Sequence, residues 1–557
     1  MLISQIPAIQ YHLQLDLNGL CDGPPGPTPL TTRISLLSEY TARWRTLTPS
    51  SHAPLLFPRM GPTGEDRFDL LQYMLFQRKS EGGAWALVPF AREIARILVM
   101  YKGPQHMALD GAPVHISHAA FDPAADLLVL IEERLLPPYV GATSNEPVAG
   151  LRLYLRTLSS RGTLAHPDCT KPVLDFGFVN PRTIFVVSAQ VVDKKLLVSV
   201  GHFPEGFNRD PGCAGMWDWR SGTALLNIDA SHVPFQGSQF HFLTQDLLLV
   251  ASCASRASDA PASDSEVIHI LDLTTPGASD WEIQTGTQHV LTLSLPPLAP
   301  NTPLRTRIAS GPIIPHARSD TPFAPDPCER IIMFGIGIVP SDVTEDGKNI
   351  ALAIKQRTLE AILLKYTGVG ATDPGTCGIR PLAPAVTVPW DEWGPAHTRA
   401  ILIHPLDTVM GELFDEGVYG SRAVLTMGGG LLSIPAPFTG TLPAHTEVVD
   451  FNAPNGRPKI IPESAGELAA DKGVAITEST TLEFPGLLEG PLTTSMPYWT
   501  VRVKAEHGHA AYGDKDMWLL GADGLLEVRN GAVGSVSMAD TQAENYNPPP
   551  FFFTFGF

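Results

Sequence analysis

Cysteine is scarce in this chain of 557 residues. The six present, Cys21, Cys169, Cys213, Cys253, Cys328 and Cys377, stand singly with no C-x-x-C pair. That spacing favours reduced structural thiols over a disulfide framework or a thiolate zinc site. Cations are outnumbered: 39 Lys and Arg against 57 Asp and Glu give a formal charge of -18, which supports solubility and argues against nucleic acid as the main ligand. Long apolar runs are missing as well, because Asp, Asn, Gln, Arg or Pro interrupts each candidate before it reaches bilayer length. No basic n-region opens the chain. These absences predict a soluble intracellular protein, cytoplasmic or nuclear, with no membrane contact. Enzyme signatures are lacking too: there is no G-x-S-x-G elbow, no H-E-x-x-H, no dinucleotide fingerprint and no EF-hand loop, and the carboxylates are dispersed. No cofactor is implied.

What is abundant is punctuation. With 49 glycines and 52 prolines breaking up short runs of Val, Ile, Leu and Phe, the chain reads as many strands joined by turns, and the class as mainly β. The clearest unit is Thr183-Ile-Phe-Val-Val-Ser188, Leu196-Leu-Val-Ser-Val200, Gly215-Met-Trp-Asp-Trp-Arg-Ser-Gly222 and Ala224-Leu-Leu-Asn-Ile228. Four short strands with a tight turn before the last read as one antiparallel blade. Trp217, Asp218, Trp219 and Gly222 resemble the inner hairpin of a WD-type repeat, with Gly222 supplying positive φ and the indoles needing a wide flat neighbour. Leu247-Leu-Leu-Val-Ala251 with Val267-Ile-His-Ile-Leu-Asp272 repeats the pattern, at a spacing longer than a standard blade of roughly 40 to 45 residues. The excess sits in Ala254 to Ser265, a Ser/Ala/Asp loop. Weaker echoes are Leu127 to Ile131 with Leu151 to Leu155, Asp346 to Ile354 with Ile362 to Gly368, Ala423 to Met427 with Val448 to Phe451, and the hairpin Met517 to Val528. The expectation is an irregular β-propeller of six or seven blades. Two stacked β-sandwiches compete with it but would not repeat an aromatic-Asp hairpin.

Before the strands lies a different pattern. Ile34, Leu37, Tyr40, Trp44 and Leu47 recur at three- and four-residue steps and predict one face of a helix. Ile9, Leu13, Leu17 and Leu20 fit a helical stripe, while Ile9, Tyr11, Leu13, Leu15 and Leu17 fit alternation equally well. The helix is preferred because Asn18-Gly19 reads as its carboxyl-terminal stop. The resulting division is a helical module over 1–50, a mixed connecting segment over 51–120, the propeller-like body over 121–540 and a Pro/Phe-rich tail over 541–557, expected to dock on its own body. Within the connecting segment, Asp66 to Lys79 fits a strand and Trp85 to Val99 fits either element.

This order of segments resembles a family of F-box proteins of mushroom-forming fungi. The resemblance rests on Ile9 to Leu20, Asp22-Gly-Pro-Pro-Gly26 and Arg33 to Leu47, and continues through Trp390-Asp-Glu-Trp-Gly-Pro-Ala-His-Thr-Arg399, Gly420-Ser-Arg-Ala-Val424, Val449-Asp-Phe-Asn452 and Met496-Pro-Tyr498. It implies a substrate receptor whose F-box docks on a Skp-type adaptor and so recruits targets to a cullin RING ubiquitin ligase. Only Met1 to Pro7 precede the resembling block, too few for those helices. Skp-type adaptor and cullin are therefore expected as partners only if an F-box lies upstream.

Other candidate residues each carry two readings. Trp390, Asp391, Glu392 and Trp393 can present an aromatic, acidic face to a protein partner, or form a loop whose indoles cap a core edge. His507 and His509 have zinc-compatible spacing but no third ligand. Gly428-Gly-Gly430 lacks the Lys and helix of a phosphate loop and reads as a turn. The functional expectation is a non-enzymatic protein-interaction scaffold with unknown targets. The alternative is a propeller enzyme or small-ligand binder that uses the central channel.

Overall fold

The structure, a computed structural model, describes residues 6–23, 25–47, 51–55, 105–109, 112–122, 125–136, 148–160, 162–177, 185–202, 213–228, 239–252, 267–273, 289–297, 304–311, 313, 322–338, 349–367, 386–403, 418–427, 445–452, 473–483, 487–502, 517–521, 524–529 and 551–556. Cys253, Cys377, Gly428, Gly430, His507, His509, the Ala254 to Ser265 loop, and the segments Asp66 to Lys79 and Trp85 to Val99 lie outside them.

Among the described residues, chain order builds six sheets of four or five strands, antiparallel but for one added strand. The first sheet runs Gln105–Leu109, Ala112–Asp122, Leu127–Leu136, Val148–Thr157, Val173–Gly177, and the second Phe185–Val192, Lys195–His202, Cys213–Asp218, Thr223–Ile228. The third is Gln239–Phe242, Leu247–Ser252, Val267–Asp272, His289–Ser294, with Val386–Val388 added in parallel. The fourth is Leu304–Ser310, Ile331–Ile338, Asn349–Lys355, Thr398–Ile403. The fifth orders Val418–Tyr419, Arg422–Met427, His445–Asp450, Tyr498–Arg502 and Val474–Ile476. The sixth joins distant parts of the chain: Ser51–Leu55 pairs with Phe551–Gly556, which pairs with Gly524–Arg529, which pairs with Met517–Gly521. Strand pairing thus crosses the boundaries drawn at 120 and 540. The first sheet begins at Gln105, and the tail strand Phe551–Gly556 is an internal strand of the sixth sheet.

Successive sheets pack face to face, which explains the runs of consecutive apolar residues. A strand buried on both faces needs apolar residues at odd and even positions alike. In the first sheet Leu127, Val129 and Ile131 share a core with Leu196, Val198 and Val200 of the second, while Leu128 and Leu130 belong to the opposite face. Leu248 and Val250 of the third sheet meet Leu197 and Met216 of the second, whereas Leu247 and Leu249 meet Ile332, Phe334 and Leu352 of the fourth. Met333 and Ala351 of the fourth then pack on Ala423, Leu425 and Val449 of the fifth.

One strand per sheet also meets a strand of the next sheet, an edge strand in every sheet but the first. Ala112–Asp122 touches Phe185–Val192, which touches Gln239–Phe242, then Leu304–Ser310, then Val418–Tyr419, then Met517–Gly521. Edge strands expose unpaired backbone groups, and here side chains bind them. The Gln190 amide donates to Phe240 O at 3.4 Å and accepts from Phe242 N at 3.2 Å. Gln239 Oε1 accepts from Ile308 N at 2.8 Å.

The hairpin of Trp217 and Asp218 sits at the other end of its sheet. It is made by the last two strands of the second sheet, at the edge away from Phe185–Val192. Gly222 has the expected positive φ, 68°, and Asp218 Oδ1 accepts from the Arg220 and Ser221 amides. The flat neighbours are Phe176 against Trp217 and His166 against Trp219, both from the first sheet's half of that core.

The helices are four among the described residues. Helix α1 spans Pro7–Leu17, α2 Leu30–Thr46, α3 Gln356–Thr367 and α4 Trp390–His397. Of the strand expected over Ile362 to Gly368, the described residues 362–367 are instead the second half of α3. Leu359, Ile362 and Leu363 are buried at helical spacing, so a period near 3.6 was mistaken for a short apolar strand. Helices α3 and α4 interrupt the fourth sheet between its last two strands and pack on the third, sharing its core through Leu359, Leu363, Trp390 and Trp393.

Helices α1 and α2 pack on the fifth sheet, where Tyr11, Leu15, Leu37, Tyr40 and Trp44 join Tyr419, Val448 and Val501. Leu20–Asp22 adds a short pairing with Phe323–Pro325. The latch is Arg422, buried, whose Nε donates to Asp450 Oδ2 at 3.0 Å and whose Nη1 donates to Tyr40 Oη at 3.1 Å, with its guanidinium 4.4 Å from the centre of the Trp44 ring. Tyr11 Oη donates to Asp22 Oδ1 at 2.8 Å, and Arg33 pairs with the same carboxylate at 2.6 Å.

Burial and the Asp22 hydrogen bond push the Tyr11 phenol up to about 12, against about 10 in an unfolded chain. A raised tyrosine pKa favours the folded state below pH 10, and that contribution is lost as the pH rises through 12. Hydrogen exchange over residues 7–46 should therefore accelerate between pH 10 and 12 beyond the chemical rate. Tyr11→Phe should flatten that excess; an unchanged excess would show that Tyr11 does not hold the helical pair.

Candidate functional site: a cleft beside the amino-terminal helices

The carboxyl end of α1 stops where the expected signal lies. Asn18 caps it and Gly19 turns the chain at φ 63°. A Cβ at Gly19 would lie 2.7 Å from Asn452 Nδ2, so glycine is needed for both conformation and approach. Asn452 Nδ2 in turn donates to Asp16 O at 3.3 Å. This contact closes one side of a cleft of about 280 Å³ lined by Asp16, Leu17, Lys355, Arg357, Thr358, Ala396, His397, Phe451, Asn452, Met496 and Pro497.

Each wall comes from a different element. Lys355 ends a strand of the fourth sheet, Arg357 and Thr358 open α3, Ala396 and His397 close α4, and Phe451 and Asn452 follow a strand of the fifth sheet. Met496 is fixed by its amide, which donates to Thr398 O at 3.0 Å. Four segments far apart in the sequence and singled out there separately, those around Asp16, His397, Asn452 and Met496, therefore meet at one place.

The electrostatics centre on Glu329. Its carboxylate is nearly sequestered, with 6% of the side chain exposed, and pairs with both Lys355, at 2.7 Å, and Arg357. Lys355 Nζ also donates to Asn452 Oδ1 at 3.1 Å. One carboxylate thus answers two cations, of which Arg357 remains 58% exposed. The amino end of α3 adds positive partial charge at the same edge. The lining also takes in Leu17 and Pro497 with the largely buried Phe451 and Met496, and Asp16 is the one carboxylate among the lining residues.

Of the two readings of Trp390 and Trp393, the one with the indoles set into a core is what the structure has. Trp390 and Trp393 are 6% and 1% exposed, packed edge to face with ring centres 5.0 Å apart, and the Trp393 indole donates to Ser294 O at 2.9 Å. A helix, not a loop, carries them, and its i and i+3 positions turn both indoles into the core of the third and fourth sheets. Asp391 and Glu392 remain at the surface, where Glu392 accepts from Tyr366 Oη at 2.7 Å. The aromatic half of that predicted face is corrected to core. Trp217, Asp218, Trp219 and Gly222 likewise lie away from the cleft.

Among the described residues no group of three or more His, Cys, Asp or Glu is placed to hold a metal ion, and no helix is long and apolar enough to cross a membrane. Compared with known proteins, the chain matches no family model and no curated sequence.

Because Gly19 fixes the rim through Asn452, Gly19→Ala should cost about 1–2 kcal/mol from left-handed strain and displacement of that amide. Urea denaturation measures it, and a loss under about 0.5 kcal/mol would show that Asn452 yields without cost.

Proposed function

We propose that this chain is a non-enzymatic protein-interaction scaffold: a six-bladed β-propeller with a helical pair latched to its side, similar in kind to the substrate-receptor part of an F-box protein. The observation that carries the reading is the serial contact of one strand per sheet, from Ala112–Asp122 to Met517–Gly521, with a sixth sheet that joins Ser51–Leu55 to Phe551–Gly556. Five sheets packed face to face in series, with a sixth in contact with the fifth, are an arrangement that a propeller contains. The polar side chains on those edge strands, Gln190, Gln239, His241 and Ser310, bond across neighbouring sheets, which favours a filled, rigid centre over an open catalytic funnel. The cleft beside α1 offers such a scaffold a built surface for a partner.

Affinity purification of the full chain, in parallel with a form extended to any in-frame upstream F-box, tests this. Stoichiometric protein partners are expected with both forms, and a Skp-type adaptor and cullin with the extended form alone. Direct adaptor binding by the present chain would overturn the second expectation. Failure of both forms to retain any protein partner would overturn the first.

A further inference from the structure

We propose that the outer edge of the second sheet, the strand Thr223–Ile228, is a docking site for an extended segment of a partner protein, which adds to it as a fifth strand. This rests on the scaffold reading and assigns the partner's mode of binding. Among the described residues, each of the other five sheets closes or blunts the corresponding edge. In the third, Val386–Val388 lies along His289–Ser294, and in the fifth Val474–Ile476 lies along Tyr498–Arg502. In the fourth, Thr398 O accepts from Met496 N at 3.0 Å and Ala400 N donates to Thr494 Oγ1 at 2.9 Å. The outer strand of the first follows Pro172, carries Asp175 and ends on Gly177, and that of the sixth, Ser51–Leu55, carries Pro54. Charge and proline on an edge discourage a further strand.

Thr223–Ile228 has no such device. Its residues, Thr-Ala-Leu-Leu-Asn-Ile, include no charge, proline or glycine, and it pairs on one side only, with Cys213–Asp218. From Ala224 to Ile228 no backbone hydrogen bond leaves the other side among the described residues. The strand is nonetheless held firmly, because Leu226 and Ile228 are 6% and 0% exposed in the core shared with the third sheet. A template fixed in advance costs little ordering on binding. Its unpaired N–H and C=O groups, at strand spacing, are matched by another extended backbone and by little else. Leu225, 41% exposed, asks for an apolar or β-branched side chain beside it. A second copy of this chain would bring a further -18 to the edge, so a neutral or basic segment of another protein is the occupant favoured.

Display of random octapeptides against the immobilised full chain, followed by synthesis of the enriched sequences, tests the site. Bound peptide should slow hydrogen exchange of amides within 223–228 and at no other outer strand. N-methylation at alternate peptide residues should weaken binding roughly three- to tenfold for each bond lost, with little effect at the residues between. Leu225→Lys with Asn227→Lys, both at exposed positions, should weaken it about tenfold, while Leu364→Lys on α3, also exposed, should leave it unchanged. Similar melting curves establish that the variants are folded. Protection at another strand, or binding indifferent to N-methylation at every position, would overturn the edge site while leaving the scaffold standing. Protection of 223–228 in the chain alone, with a doubled mass by light scattering, would assign the edge to a second copy and overturn the partner. Enrichment of no peptide would overturn the edge site, and co-purification of protein partners would then decide the scaffold reading alone.

Discussion

Replacing Arg330 with alanine should destabilise the fold by about 3–5 kcal/mol, among the largest effects available to one side chain. Arg330 is 2% exposed and stands immediately before the second strand of the fourth sheet, Ile331–Ile338. All of its donor groups are in use. Nε donates to Gln356 Oε1 at 2.9 Å, Nη1 to Ser310 Oγ at 3.2 Å and Gly311 O at 2.8 Å, and Nη2 to Phe242 O at 3.0 Å and Leu243 O at 2.7 Å. One guanidinium therefore ties the third sheet, the fourth sheet and α3 together. Burial lowers its pKa to about 9, so the group stays protonated at neutral pH. Alanine would leave three buried carbonyl oxygens without that donor and a void besides. Arg330→Lys should recover little, because an ammonium is a point charge that cannot span the same fork. A shift in the urea midpoint worth less than about 1 kcal/mol would show that water replaces the guanidinium.

Trp393→Ala is the second large effect, expected at about 3–5 kcal/mol from lost burial and the cavity left behind. The indole is 1% exposed among residues of the third and fourth sheets, and Trp390 packs on it and over Gly394, where a Cβ would lie 2.3 Å from the Trp390 ring. Asp391→Asn and Glu392→Gln should each stay within about 0.5 kcal/mol of the parent. The contrast is the test: if the acidic substitutions destabilise as much as Trp393→Ala, the helix is held by its charges and not by its indoles.

Much of the architecture was legible because it is local. The three- and four-residue spacing of Leu37, Tyr40 and Trp44, the Asn18-Gly19 stop and the Asp218 to Gly222 turn each need only a few neighbouring residues to be read, and α1, α2 and the hairpin lie where they point. The same local reading failed at α3, where four apolar residues are too few to separate two periods, and at Trp390 to Trp393, where sequence shows amphipathic character but not which side faces the core. The cleft and the two arginine hubs were beyond reach for a different reason. Arg422 meets Tyr40 across 382 positions and Arg330 meets Phe242 across 88, and no pattern within a window of the chain signals such pairs. A lone arginine between apolar strands, as Arg330 stands before Ile331-Ile-Met-Phe334, is the signal that was available, since an unpaired charge at a core position demands partners.

The central proposal is a closed ring of six sheets, and distances between spin labels test it most directly. Cysteines at Asp126 in the first sheet, Asp193 in the second and Glu527 in the sixth, in a background without the native thiols, allow two pairs to be compared by pulsed electron resonance. A ring makes the first and sixth sheets neighbours, so the separation from Asp126 to Glu527 should be comparable to that from Asp126 to Asp193. A first-to-sixth separation more than about twice the first-to-second one, as an open row or a pair of stacked sandwiches would give, would contradict the ring and the scaffold built on it.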